Sequence, residues 1–280
     1  MSKIAVVTDS TATIPEELVK KYNIYVAPMG IIWDREKYRD GIDLKRDEFY
    51  KRLRSSLTLP TTSGAIQGEF LQIFENLRGK VDGVVVVTIA SAFSAVYSSA
   101  INAKEMVSEM PIEIVDSMQA TASEGLVALA AAKTAAVGSD IQEVAQKAKD
   151  ISKKVQCLLA MDTLEYLRRG GRVNYPSAIF ARLLRVKPIL SIEDGKLIPV
   201  KKPITRKKQL ETLLNLIGER VTKTPLHVAI NDADFREGAE NLKKLIADKF
   251  KPVEILMSEM PPVVGIHVGP DALCVGFYNE

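Results

Sequence analysis

Gly83-Val84-Val85-Val86-Val87-Thr88-Ile89 reads as an apolar run with no polar alternation. A strand of that kind is covered on both faces, which marks a parallel sheet held between helices. Reading outward, residues 94–110 and the Ala-rich stretch 120–137 have helical composition, and Ile112–Val115 between them is a second buried strand. Ile4–Val7 is a short β-branched run that ends at Asp9. Thr13 followed by Glu16 predicts a capping box, with Pro15 tolerated in the first turn of a helix that runs to about Tyr22. One or two strands are expected over 24–32, and helices over 46–53 and 64–77, the latter beginning just after Thr61-Thr62-Ser63. Ser139 and Gln142 are expected to cap a further helix to about Val155. Strands alternating with helices imply an α/β unit.

After Val155 the pattern changes. Residues 157–161 read as a strand, and Asp162 or Thr163 as the cap of a helix that stops at Gly170-Gly171. A second helix is expected over 177–184. Residues 188–192 and 196–200 flank Asp194-Gly195, a dipeptide that supplies the positive φ of a tight hairpin turn. A helix over 205–221, a strand over 226–230, a helix over 235–250 and a strand over 253–257 follow. Pro261-Pro262 breaks the chain before an expected strand at 263–268, and 272–277 closes it as a last strand. The expectation is two domains: residues 1–155 as an α/β unit with a parallel sheet, and residues 156–280 as an α+β unit.

The chain has 280 residues, 46% hydrophobic and 26% charged, enough apolar mass for a sizeable core. A formal net charge of +3 is too mild to argue for nucleic acid. No apolar run reaches the ~20 residues of a membrane span, and the N-terminus has no signal-peptide pattern. Cys157 and Cys274 lie in separate apolar runs, read as buried free thiols of a reducing cytoplasm. Their spacing is not that of a zinc site. A monomer is expected, because no long exposed apolar stripe stands out.

Four short polar motifs punctuate this apolar chain: Thr8-Asp9-Ser10-Thr11, Thr61-Thr62-Ser63, residues 168–172 (Arg-Arg-Gly-Gly-Arg) and residues 265–270 (Gly-Ile-His-Val-Gly-Pro). Thr61-Thr62-Ser63 places hydroxyls before a helix, whose free N–H groups and partial positive charge suit an anion; a plain helix cap is the alternative. Ser94 follows the buried strand at or near the next helix cap, where α/β proteins place ligands. Asp9 ends the first strand, where it either orients Ser10 and Thr11, holds a metal or a ribose, or only caps a turn. Arg172, just past two glycines, can fork onto a carboxylate or phosphate. His267 sits in a glycine-flanked apolar stretch, as a donor to a bound carboxylate or as a satisfied core residue. His227 reads as a core residue. The Lys/Arg-rich stretch from Lys187 to Lys208 reads as a solvated face or a patch for an acidic partner. Neither a dinucleotide-type glycine motif nor a phosphate-binding Gly-Lys loop follows the first strand.

These motifs in this order resemble the DegV family of bacterial fatty-acid-binding proteins. The likeness spans the chain and includes Pro60 to Ser63, the turn from Ser91 to Ser99, Val115-Asp116-Ser117, residues 166–172, residues 184–190, Arg206-Lys207-Lys208 and Gly265 to Pro270. It implies a Rossmann-like N-terminal domain, an α+β C-terminal domain, and a long-chain fatty acid such as palmitate (hexadecanoate), stearate or oleate buried between them. By the same resemblance Thr62, Ser94, Arg172 and His267 hold the carboxylate, with Asp9, Ser10, Thr61 and Ser63 behind them. No catalytic residue, metal or cofactor is implied. The partner is a separate fatty-acid kinase subunit that converts the presented acid to an acyl phosphate; no nucleic acid and no stable membrane insertion are expected. The chain departs from the family pattern at Ala95 and Val96, at Gly64-Ala65, and at Ile204, where relatives carry an arginine. Two other readings remain: acyl transfer with Ser94 as nucleophile and His267 as base, and a nucleotide-binding regulator. The first lacks a Gly-x-Ser-x-Gly elbow and the second a phosphate loop.

Overall fold

A computed structural model describes residues 2–64, 66–107, 109–173, 186–222 and 225–280. Strands β1 (Ile4–Asp9), β2 (Tyr25–Ala27), β6 (Gly83–Thr88) and β7 (Ile112–Asp116) form a parallel sheet in the order β2-β1-β6-β7. All six residues of β6 are buried, as its lack of alternation requires. A small antiparallel sheet, β4-β3-β5, joins β3 (Gly30–Trp33), β4 (Glu36–Arg39) and β5 (Thr61–Ser63). Every described strand after Val155 belongs to one six-stranded sheet: β8 (Gln156–Ala160), β9 (Ile189–Glu193), β10 (Lys196–Lys201), β11 (Leu226–Ala233), β12 (Glu254–Glu259) and β13 (Ala272–Asn279). Its order is β10-β9-β8-β13-β11-β12, with only the β11–β12 pair parallel.

Helices α1 (Glu16–Lys21), α2 (Arg46–Ser55), α3 (Gln67–Leu77), α4 (Val96–Glu105), α5 (Thr121–Ala136) and α6 (Ile141–Lys154) precede the six-stranded sheet. Helices α7 (Glu165–Arg169), α8 (Arg206–Arg220), α9 (Arg236–Phe250) and α10 (Pro262–Val268) follow β8. Residues 121–132 of α5 are all buried. This helix packs on β1 and β6 of the parallel sheet and on β8, β11 and β13 of the larger one. A helix that is Ala-rich on every face beyond its first turn suits that sandwiched position, and its buried polar residues Thr121, Ser123 and Glu124 cluster at its start. The period of two sorts the larger sheet's faces. Cys157, Leu159 and Cys274 point into the core shared with α5, while Leu158, Ala160, Leu273 and Val275 point into a second core with α8 and α9.

Several local expectations are corrected. Thr13 makes no capping box: α1 begins after Pro15 with no side-chain cap, and the Thr13 hydroxyl donates to the Thr11 carbonyl. Thr61-Thr62-Ser63 is strand β5 and not a helix cap, because β3 offers it an open antiparallel edge; α3 starts only at Gln67. Ser94 lies near the start of α4 as expected, one residue before the cap Ala95, but its hydroxyl does not cap the helix. The capping box before α6 is Asp140 with Glu143, one residue on from the expected pair; each side chain accepts from the other's backbone N–H. Residues 263–268 form helix α10 and not a strand. Pro262 sits in its first turn, where its missing N–H costs nothing, and the Asp40 carboxylate accepts from Val263 N at 3.1 Å. The hairpin at Asp194-Gly195 forms as expected, with both residues at positive φ. The helix expected over 177–184 lies outside the described residues, as do Ala65 and the Leu184-Arg185 start of one family motif.

Candidate functional site

A narrow cavity of about 80 Å³ lies between the two larger sheets. Its wall is almost wholly apolar: Met29 and Ile89 on one side, Leu159, Ile192, Leu197 and Val264 on the other. Thr62, Ser94, Arg172 and His267 all line it, although they come from β5, the turn before α4, the turn after α7, and α10.

Thr62 is the hub. Its Oγ1 lies 3.2 Å from His267 Nε2 and accepts from Arg172 Nη2 at 3.4 Å. The one hydroxyl proton therefore remains for the imidazole or for a ligand. Arg172 is steadied by two carbonyls, donating from Nε to Phe93 at 3.3 Å and from Nη1 to Gly170 at 2.6 Å. No carboxylate among the described residues pairs with it. His267 has its pKa pushed down to about 3, first by burial and then by the Arg172 charge, so its imidazole is neutral near pH 7. Two buried polar atoms here have no partner among the described residues, Ser94 Oγ and His267 Nδ1. Buried polar atoms are normally satisfied, so such a pair beside a guanidinium needs an explanation.

Two glycines make the packing feasible. A Cβ on Gly64 would lie 2.9 Å from Ser94 Oγ, and a Cβ on Gly170 would lie 2.2 Å from His267 Nδ1. Asp9, Ser10, Thr61 and Ser63 stand further back. Asp9 accepts from Ile89 N and from Thr11, and Ser10 Oγ accepts from Met29 N. Ser63 pairs with Gly30 in the small sheet, and Thr61 is exposed. Thr11, in contrast, lines the cavity and joins Asp9 to the buried Glu124 of α5. Its hydroxyl has one proton for two carboxyls, so when it donates to Asp9 the Glu124 carboxyl must be protonated. Burial pushes the Glu124 pKa well up, with the Asp9 charge adding to it. No group of metal-binding side chains is present among the described residues.

Asp40 was not a candidate in the sequence, yet it anchors the helix that carries His267. Burial raises its pKa from 3.8 to about 6. The folded protein thus binds a proton more tightly than the unfolded chain does. The resulting penalty is full above pH 6 and vanishes below about pH 4. Asp40→Asn keeps an acceptor for Val263 and removes the charge, so it is expected to stabilise the fold by roughly 1–3 kcal/mol at pH 8 and by nothing at pH 3.5. Urea unfolding at the two pH values checks this; an equal effect at both refutes it.

This architecture matches known proteins over the whole chain. The family model described as an uncharacterised protein of the DegV family matches residues 3–280. The chain belongs to the DegV family. A DegV domain-containing protein of Caldanaerobacter subterraneus is 34% identical over the full length of both chains. Protein DegV of Bacillus subtilis is 33% identical over 96% of this chain and 97% of its own. Among solved structures, DegV from Bacillus subtilis, described as a fatty acid binding protein, superposes with a TM-score of 0.91 at 32% identity over 100% of both chains. A DegV lipid binding protein from Thermotoga maritima gives 0.89 at 29% identity, covering 99% of this chain and 98% of its own. The two-part α/β architecture expected from the sequence is therefore that of DegV proteins.

Proposed function

We propose that this DegV protein binds one long-chain fatty acid, such as palmitate, stearate or oleate, between the units 1–155 and 156–280, with its carboxylate held by Thr62, Ser94, Arg172 and His267. The observation that carries the reading is the pair of buried atoms, Ser94 Oγ and His267 Nδ1, that have no partner among the described residues, beside a guanidinium that no described carboxylate neutralises, at an apolar cavity. A carboxylate is costly to bury without donors, and it would find them here. The chain would follow the apolar wall. About 14 methylenes at ~0.8 kcal/mol each give roughly 11 kcal/mol before association costs are taken off.

The geometry favours binding over acyl transfer. Ser94 Oγ has no bond to His267, and an imidazole whose pKa is lowered to about 3 is a weak base. It also disfavours nucleotide binding, since the end of β1, where a phosphate would have to sit, carries the Asp9 carboxyl and, through Thr11, meets the Glu124 carboxyl of α5. The reading extends to a non-catalytic subunit in the cytoplasm that presents its fatty acid to a separate kinase for acyl-phosphate formation. That extension is supported by family resemblance, and no helix among the described residues is long and apolar enough to cross a membrane.

Denaturing extraction followed by mass spectrometry tests the core reading. A stoichiometric fatty acid is expected, and an empty extract with no uptake of added oleate would end it. Thr62→Val and Ser94→Ala are each expected to weaken oleate binding by roughly 1–3 kcal/mol with the fold intact. Unchanged affinity in both would remove these residues from the clamp. Hydroxylamine trapping of acyl phosphate, with ATP and a fatty-acid kinase present, tests the extension.

A further inference from the structure

Cys157 and Cys274 take no part in the carboxylate clamp, yet both line the same cavity. They come from neighbouring antiparallel strands, β8 and β13. In register Cys157 faces Gly276 and Cys274 faces Leu159, so the two thiols are diagonal neighbours on one face. Their sulfurs are 3.5 Å apart, and the residues are 1% and 0% exposed. Both are free thiols.

The surroundings of the two sulfurs differ. Cys274 Sγ sits at the N-terminus of the sixteen-residue helix α5. The Thr121 hydroxyl lies 2.9 Å from it, and the Ala122 N–H points at it. Donors of this kind at a helix start stabilise a thiolate. The neighbouring Cys157 thiol, then Thr121 and Ala122, pull the Cys274 pKa down against the burial that raises it. The Cys157 pKa is pushed well up by Cys274 and by burial. One sulfur is thus prepared as a nucleophile and the other remains a thiol beside it. Thr121 reaches Cys274 from a strained backbone, with a φ of 53° that a β-branched residue rarely adopts. Such strain persists where the surrounding structure holds it, and it concentrates at working sites.

We propose that Cys274 and Cys157 are a redox couple in the cavity wall that reduces a hydroperoxide carried on a bound unsaturated acyl chain. This rests on the fatty-acid reading of the cavity. The Cys274 thiolate attacks the outer oxygen of the peroxide, the O–O bond breaks, and the acyl alkoxide takes up a proton to leave as an alcohol. Cys274 is now a sulfenic acid. Cys157 attacks its sulfur, forming the disulfide and releasing water. In sum, one hydroperoxide and two thiols give one alcohol, one disulfide and one water. Once the lipid has left, a small thiol that enters the cavity returns the disulfide to two thiols by exchange. The cavity sets the selectivity: sulfurs with so little exposure meet what enters with the lipid before they meet peroxide in water.

The test uses the full-length protein stripped of lipid and reloaded with linoleate or with linoleate hydroperoxide. Retention of linoleate is measured first. The expected result is loss of one equivalent of hydroperoxide per chain, appearance of the hydroxy acid, and an intact mass two hydrogens lighter. Hydrogen peroxide at the same concentration should oxidise the pair more slowly. Cys274→Ser, compared at matched lipid occupancy, should consume hydroperoxide only at the protein-free rate. Cys157→Ala should consume one equivalent and stop at a sulfenic acid that dimedone traps. Retained linoleate with no hydroperoxide loss overturns the thiol proposal alone. Oxidation by hydrogen peroxide as fast as by the lipid hydroperoxide overturns its lipid selectivity. Failure to retain linoleate overturns both this proposal and the binding reading.

Discussion

Gly276→Ala is expected to lower the unfolding free energy by about 3 kcal/mol or more, the upper end for overpacking a core. Gly276 lies in β13 directly under the start of α5. A Cβ there would lie 2.6 Å from Ser123 N, 2.8 Å from the Ala122 carbonyl carbon and 2.9 Å from Ser123 Cα. All three are backbone atoms of a helix wedged between two sheets, so no side chain can turn away to make room. The helix must lift, and its contacts with β1, β6 and β13 loosen together. Gly68, in α3, is the control: a Cβ there meets nothing within 4 Å. Gly68→Ala should stabilise by roughly 0.5–1 kcal/mol, since alanine loses less backbone freedom in a helix. Urea unfolding of the two variants decides it. A Gly276→Ala protein as stable as the parent would mean that α5 and β13 do not approach this closely.

Parts of the fold were legible because their causes are local. Four consecutive valines can be covered only by layers on both sides, and β6 is so covered. Asp194-Gly195 carries the positive φ of its own turn. Residues 263–268 were misread because β-branched residues favour a strand in isolation, while the Asp40 carboxylate that helps fix α10 comes from 223 residues away. Thr61 to Ser63 was misread for the opposite reason. Three hydroxyls before an apolar stretch look like a cap, and nothing local shows that β3 has a free edge.

At the site, Thr62, Ser94, Arg172 and His267 were assembled by motif order, since no single spacing brings them together. Their supports were hidden. Gly64 and Gly170 matter for the side chains they leave room for, Ser94 and His267, which are distant in sequence. Glu124 lies in an alanine-rich helix, and its partner Thr11 is 113 residues earlier. A lone acid among alanines was the available signal, because a buried carboxyl needs a partner somewhere. The cysteines lie in separate apolar runs and read only as buried free thiols, because their adjacency depends on the register of β8 against β13.

Arg172→Met is expected to weaken oleate binding by about 2–4 kcal/mol, roughly thirty- to several-hundred-fold. The guanidinium is held by the carbonyls of Phe93 and Gly170 and by Thr62, with no carboxylate beside it among the described residues. A half-buried charge without a counter-ion is a cost in the empty protein, and burial accordingly lowers the Arg172 pKa. Methionine removes that cost. The lipid-free variant should therefore unfold no earlier than the parent, while the stabilisation gained from added oleate should shrink. Partial exposure lets salt screen the contact, which is why the expected loss stays below that of a fully buried ion pair. Oleyl alcohol separates charge from packing. It has the same chain and no carboxylate, so parent and variant should bind it equally. If Arg172→Met loses the alcohol as heavily as the acid, Arg172 is supporting the shape of the cavity, and the carboxylate must be neutralised elsewhere.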